Sequence, residues 1–582
     1  MTLQKTCHYR LYPLFVYILY FLLFGIVIGI IDYFPKGEIG GILKKWVPWN
    51  LKVNSLLIIV AILICYRDIL GLAKQFINKR GAGLVALFLV AFSIASFIAP
   101  RTHRIFYDED IYANVGQNIA LTNQTGYCNY GTFEYGEYYP QWITYNKEPS
   151  GWPFLISRAF QLLGTDELYA FLTNNLLFSA GVLVVFFITW HLTGIYFTSL
   201  LAALSFALIP HNLIWANTAA AEPSASFFAG LTVLCLIVFL KTQRDRHLFL
   251  LAMLIPFACQ MRPESMLILL WVMIAFMVLS PRSLINKKVW TFGLLTALFL
   301  LPHLLHFYAV SGHTWGAEGG KFSLNFFWNN LYANGAYYLN NLHFPVLLTA
   351  LAIIGLLCSR ELLRWRLLIF LWFLFFWGIF LFFYAGSYRY GADVRFSLLS
   401  FMPLSILAGL GGGFILKKMG KTVSGFKTRD AGCGHLGSRI LQHGASIIVL
   451  VMLFSFIEFL PLVRRVGQEA WGARHDHRYA MEFIDKIPRR SIVLTQNPTM
   501  LLLWGQNAIQ TYAGINDPGL IEHLMKKYQG HVYFHYNYWC NTKNERNRRL
   551  CRAIKEKYRL TEIARAYEQD YEYGLYQMSL NK

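Results

Sequence analysis

Charge is scarce in this sequence. Only 14% of its 582 residues are Asp, Glu, Lys or Arg while 56% are hydrophobic, which excludes an ordinary soluble globular protein. Acids are the scarcer sign, 31 against 52 Lys and Arg. The 9 cysteines are scattered, with no CxxC pair and no Cys/His metal spacing. The absence of an internal repeat argues against a secondary transporter built from two related halves. The first apolar run, Leu11 to Ile31, has no small-residue cleavage site after it, so it reads as an uncleaved span and not a signal peptide.

What the chain has instead is long apolar runs separated by short basic loops. A bilayer crossing needs about 20 residues, and thirteen runs qualify as spans: 12–31, 53–66, 82–99, 168–192, 195–213, 221–240, 247–261, 264–280, 289–310, 345–359, 366–385, 397–416 and 444–463. The second and seventh are short. The loops 67–80, 241–247, 281–288, 360–366 and 417–439 hold 19 Lys or Arg and 4 acids. With the amino terminus inside, all five fall in the cytoplasm, as the positive-inside rule asks. The loop 100–166, with 4 basic and 7 acidic residues, then falls outside. The basic balance thus reports topology and not nucleic-acid binding. The expected fold is an α-helical polytopic membrane protein of about 13 transmembrane helices, residues 1–463. A small extracytoplasmic α/β domain, 464–582, follows it, with Cys540 and Cys551 free to pair there.

Two outward loops are unusual. Residues 100–166 combine a short helix, Ile111 to Leu121, with a Tyr/Gly-rich stretch whose tyrosines read mainly as an aromatic belt. Residues 311–344 are rich in Gly, Asn and aromatics, a composition suited to sugar or lipid head groups. Polar signals gather on the same side. Asp108, Glu109 and Asp110 form an acidic cluster at the mouth of an apolar segment, where ionisable groups are costly to hold without a function. Asn146-Lys147-Glu148-Pro149 closes the first loop. Glu222 opens a span, and Arg262-Pro263-Glu264 separates two more. Arg389, Tyr390, Asp393 and Arg395 precede another. Glu264 reads as a structural partner of Arg262, and Asp393 as a partner of Arg389 or Arg395.

Asp108-Glu109-x-x-Tyr112-Ala113 resembles the DExxYA-type signature of the GT-C membrane glycosyltransferases, in the branch of the protein O-mannosyltransferases and the lipid A aminoarabinose transferase. Lys147-Glu148-Pro149 is similar to that branch's Lys-Pro-Pro, with one departure. Glu222-Pro223 and Arg389-Tyr390 match its later motifs, so the resemblance covers roughly residues 85 to 415. It implies a polyprenyl-phosphate sugar donor, an extracytoplasmic acceptor (glycan, lipid or protein) and a location in the plasma (inner) membrane. Asp108 would be the base, with Glu109 the alternative. Lys147 and one or more of Arg262, Arg389 and Arg395 would steady the departing phosphate, with Glu222 and Tyr390 also binding substrate. Some relatives use a divalent cation, which the acids at 108–110 with Glu222 would hold here. Against that, Asn146 stands where the aminoarabinose transferase has a glutamate that helps bind metal. The competing reading is a transporter or flippase for a lipid-linked or anionic substrate.

Overall fold

The computed structural model describes residues 2–76, 79–105, 107–315, 317, 319–358, 362–389, 391–425, 449–466 and 471–581. The chain begins with α1 (Thr2–Tyr33), α2 (Lys36–Ile64), the short amphipathic α3 (Tyr66–Gln75) and α4 (Lys79–Phe97). The first long loop folds as α5 (Asp108–Thr122), β1 (Tyr127–Glu134), β2 (Glu137–Thr144) and α6 (Gly151–Leu163). Helices resume with α7 (Leu168–Thr193), α8 (Tyr196–Ala207), α9 (Pro210–Ala216), α10 (Glu222–Thr242), α11 (Asp245–Cys259), α12 (Leu267–Leu279) and α13 (Lys287–Ala309). After them come α14 (Phe327–Leu339), α15 (Val346–Leu357), α16 (Leu363–Gly378), α17 (Leu398–Gly425), α18 (Val449–Glu458) and α19 (Leu460–Arg464).

Six of these helices are long and apolar enough to cross a bilayer, and α8 with α9, bent by 63° at Leu208–Ile209, makes a seventh candidate. Five shorter apolar helices fall on other expected spans. The second expected span is longer than its apolar run, because α2 begins at Lys36. The span expected over 366–385 stops being α-helical at Gly378. From there to α17 the described residues are 3-10 helix and irregular backbone, which a bilayer interior tolerates only where protein or a cavity surrounds it. Phe21, Leu63, Val85 and Phe97 project from α1, α2 and α4 as an apolar outer surface suited to lipid. Inside, α15 and α17 touch backbone to backbone, since a Cβ on Gly355 or Gly411 would strike the carbonyl of the facing helix. Three basic loops meet at one end: Asp68 pairs with Arg244 at 2.6 Å and with His247 at 2.9 Å, and Asp245 with Lys288 at 2.6 Å.

The tail contains α20 (Trp471–Ile484), β3 (Ile492–Thr495), α21 (Pro498–Leu503), β4 (Asn507–Gln510), α22 (Ala513–Asn516) and α23 (Pro518–Lys527). It continues through β5 (Val532–Tyr536), α24 (Tyr538–Asn541), α25 (Glu545–Lys557), β6 (Tyr558–Glu568) and β7 (Tyr571–Leu580). Strand β3 is buried along its whole length, as a central strand covered on both faces must be. Its residues alternate, Ile492 and Leu494 toward α23 and α25, Val493 toward α20 and α21. Cys540 and Cys551 form a disulfide.

The sheet does not stay within the tail. Its seven strands run β2-β1-β4-β3-β5-β7-β6, so the hairpin of the first long loop supplies one edge. Tyr130 pairs with Ile509 and Gly131 with Ala508, antiparallel. The Tyr/Gly-rich stretch therefore departs from the expected aromatic belt. Tyr138 reaches back to hydrogen-bond Asn118 at 2.9 Å.

Candidate active site

Helix α5 begins with three acids, the charge sign favoured where unpaired N–H groups point outward. Tyr107 enters it with φ of 68°, a left-handed backbone that a tyrosine adopts only when held there. Its hydroxyl donates to Asp476 of the tail at 2.8 Å, and its ring lies 5.1 Å from that of Trp539. Successive residues on a helix turn by about 100°, so the three acids diverge.

Asp108 faces a cavity of about 390 Å³ that also takes in Lys147, Glu148, Arg262, Glu264, Lys321 and Arg395. Phe307, Trp315, Phe383, Tyr384 and Phe396 complete its wall. Four cations and three carboxylates thus meet an aromatic surface where the start of α5, the end of α13 and the approach to α17 come together.

Glu109 is not among the residues lining this cavity. Fully buried, it accepts backbone hydrogen bonds from Arg104 (2.7 Å), Ile105 (2.9 Å) and Ala219 (2.7 Å) and pairs with His103 at 3.0 Å. It ties the loop before α5 to the turn before α10, a scaffold role and not that of a free base. Asp110 points elsewhere again, accepting from Asn497 Nδ2 at 2.9 Å.

Glu222 sits behind the cavity and sets its cations. One carboxylate oxygen takes Arg262 at 2.6 Å and Arg395 at 3.0 Å, and Glu222 is fully buried. Glu264 holds Arg262 from the other side, the structural pairing expected for it. Asp393 lies 3.4 Å from Arg395. Lys147 and Glu148 arrive from the end of the first loop. That loop can seat because Gly151 N donates to the Gln260 carbonyl at 2.9 Å, where a Cβ on Gly151 would stand 2.4 Å from the same oxygen.

Arg389 does not join this group. It lines a second cavity of about 690 Å³ with Arg104, His211, His343 and Arg465, its guanidinium 4.8 Å from the Tyr332 ring centre. Tyr390 lies outside the described residues. Two lining groups have no role assigned from the sequence. Glu148 occupies the one departure from Lys-Pro-Pro, and burial pushes its carboxyl up to about 7 against the pull of Arg262 and Lys147. Lys321, 4.5 Å over the Trp315 ring, comes from the aromatic loop, whose composition was the only signal of it.

The acids of the expected divalent-cation set do not converge: Asp108, Glu109 and Asp110 face three ways, and one oxygen of Glu222 is shared by two arginines while its other oxygen is buried without a hydrogen-bond partner among the described residues. No metal step is assigned to the cavity.

No protein-family model matches the sequence, and no curated protein matches it by sequence. The fold has clear counterparts. The chain is similar to ArnT from Cupriavidus metallidurans bound to undecaprenyl phosphate, with a TM-score of 0.55 at 13% identity over 86% of this chain and 98% of that one. The apo state of the same protein gives 0.56 at 12% identity over the same shares. The archaeal oligosaccharyltransferase AglB from Archaeoglobus fulgidus, at a TM-score of 0.48 and 11% identity, is too distant to add weight. The overall fold is thus similar to that of ArnT along most of both chains, at an identity that speaks for fold alone.

Proposed function

We propose that this protein transfers a sugar from a polyprenyl-phosphate donor to a hydroxyl of an extracytoplasmic acceptor. The observation that carries the reading is a single cavity joining Asp108 to Lys147, Arg262 and Arg395 at one end of the bundle. The likeness in fold to ArnT, a protein seen bound to undecaprenyl phosphate, supports this choice of donor class. The orientation proposed has the amino terminus in the cytoplasm and the cavity and tail outside, with the basic loops at the cytoplasmic end.

In the proposed reaction the Asp108 carboxylate takes the proton of the acceptor hydroxyl as its oxygen attacks the anomeric carbon. The new C–O bond forms as the bond from that carbon to the phosphate oxygen breaks. The electron pair leaves on polyprenyl phosphate, and the configuration inverts. Charge grows on the phosphate, where Lys147, Arg262 and Arg395 are preorganised to receive it, the arginines through planar forks that match its oxygens. Phe383, Trp315 and Tyr384 offer flat apolar faces to a sugar ring.

The test is transfer of radiolabel from a panel of polyprenyl-phosphate sugars, using purified protein and an extract of its own membranes. Label should move with the wild type and fall by about 10²–10⁴-fold with Asp108→Asn, the range for a lost general base. Equal transfer by the variant would remove Asp108 from the reaction. Failure of every donor, with reconstituted vesicles moving a lipid-linked substrate, would make the protein a transporter.

A further inference from the structure

The acid that turns away from the cavity has company. Asp110, from the first turn of α5, meets His103 from the loop before it, Glu167 at the start of α7 and His477 on α20 of the tail. One ligand atom from each lies within 4.8 Å of all the others. His103 Nε2 is 3.1 Å from Glu167 Oε2 and 3.9 Å from Asp110 Oδ1. His477 Nε2 is 3.8 Å from both carboxylates. Bonds of about 2.0–2.1 Å to a tetrahedral zinc ion separate neighbouring ligand atoms by about 3.3–3.4 Å. The observed separations bracket that edge length. Small rotamer adjustments would close the four atoms on an ion.

The surroundings suit a metal. The outer oxygen of Asp110 accepts from Asn497, which leaves Oδ1 aimed into the cluster, buried and without a hydrogen-bond partner among the described residues. A buried carboxylate oxygen so placed is costly unless a cation meets it. His103 Nδ1 faces Glu109 Oε2 at 3.0 Å. A proton held there fixes the tautomer and directs the Nε2 lone pair inward, as carboxylate–histidine–metal sites do. Two neutral imidazoles and two carboxylates balance a divalent ion. A cavity of about 410 Å³ lined by Arg101, Glu167, Arg474 and His477 gives the ion a way in.

We propose that His103, Asp110, Glu167 and His477 form a zinc-type metal site that clamps the tail to the outward face of the membrane module. Four protein ligands leave no open position, so the ion is structural and takes no part in transfer. It fixes the first turn of α5, and through it the direction of Asp108.

The test measures metal in purified full-length protein and therefore does not depend on transferase activity. Protein dialysed against a chelator and reloaded with zinc should hold about one equivalent and melt at a higher temperature than the metal-free form. Asp110→Asn and His477→Ala should hold less than a tenth of an equivalent and lose the zinc-dependent shift. His477→Cys, which restores a ligand, should bind cobalt(II) with a thiolate charge-transfer band that the wild type lacks. Wild type that retains no zinc and gains no stability from it would overturn the site. His103 would then be a doubly protonated bridge between Glu109 and Glu167. Zinc held equally by both ligand-removing variants would place the ion elsewhere and overturn it as well.

Discussion

Glu222→Gln removes one negative charge and almost no volume, which makes it a clean probe of how the cavity holds its cations. In the wild type one Glu222 oxygen lies 2.6 Å from Arg262 and 3.0 Å from Arg395. At an effective dielectric near 20, each contact is a gross attraction of roughly 5–6 kcal/mol. Desolvation of three buried groups cancels much of this. Removing one partner strands the others, and for a buried pair that costs about 3–5 kcal/mol. Here two guanidinium groups are stranded side by side, while Glu264 and Asp393 retain partial hold on them. The loss expected for Glu222→Gln is therefore about 3 kcal/mol, read as a lower melting temperature in detergent. Because the arginines also shift from where phosphate charge develops, kcat should fall by about 10²-fold, with a smaller change in KM. Glu222→Asp, which keeps the charge, should recover most of both. A Gln variant as stable and as active as wild type would refute the view that Glu222 sets these cations.

Glu148 gives a pH signature. Its carboxyl is pushed up to about 7 from an ordinary 4.5, so the folded state holds a proton that the unfolded chain has lost. Stability from this group is then fullest below about 4.5 and falls as pH rises toward 7. Glu148→Gln should flatten that slope in pH-dependent melting and remove a limb near pH 7 from the kcat/KM profile; an unchanged profile would take Glu148 out of the titration. At Gly151, alanine brings a methyl against the Gln260 carbonyl. It should cost about 1–3 kcal/mol and weaken transfer by displacing Lys147, and a variant with normal melting and transfer would show that the loop can reseat.

How far the sequence reveals this site depends on how local each feature is. The start of α5 is legible because acids favour a helix amino terminus, and the pairing of Arg262 with Glu264 is legible because only one residue separates them. The roles of Asp108, Glu109 and Asp110 are less so. Read as one cluster, they cannot share a ligand, because a helix turns each about 100° from the last. That geometry alone separates the cavity acid from the scaffold acid. No local signal separates Arg389 from Arg395, which sit in different cavities although six residues apart in sequence. The irregular backbone between α16 and α17 decides it. The β1–β2 hairpin was the hardest element to foresee. Its Tyr/Gly-rich residues resemble an interfacial loop until β4, more than 370 residues later, supplies the strand they pair with.

That distant pairing bears on what the tail is for. Tyr107 leans on Asp476, Asp110 on Asn497, and Gln117 donates to the Leu502 carbonyl at 3.1 Å. All three contacts fall on α5 or the residue before it, within three turns of Asp108. The opposite side of the helix rests on α6 through Tyr112 and Ala113 against Trp152 and Ile156. A catalytic carboxylate is useful only when its direction is fixed, and exposed loops fix direction poorly. Here the helix carrying Asp108 is held between the membrane module and a domain encoded at the far end of the chain. Division of the chain at residue 463 would remove that brace and leave β1 and β2 without the strand that completes their sheet. The tail is thus a buttress of the candidate catalytic helix, whatever part it also plays in meeting the acceptor.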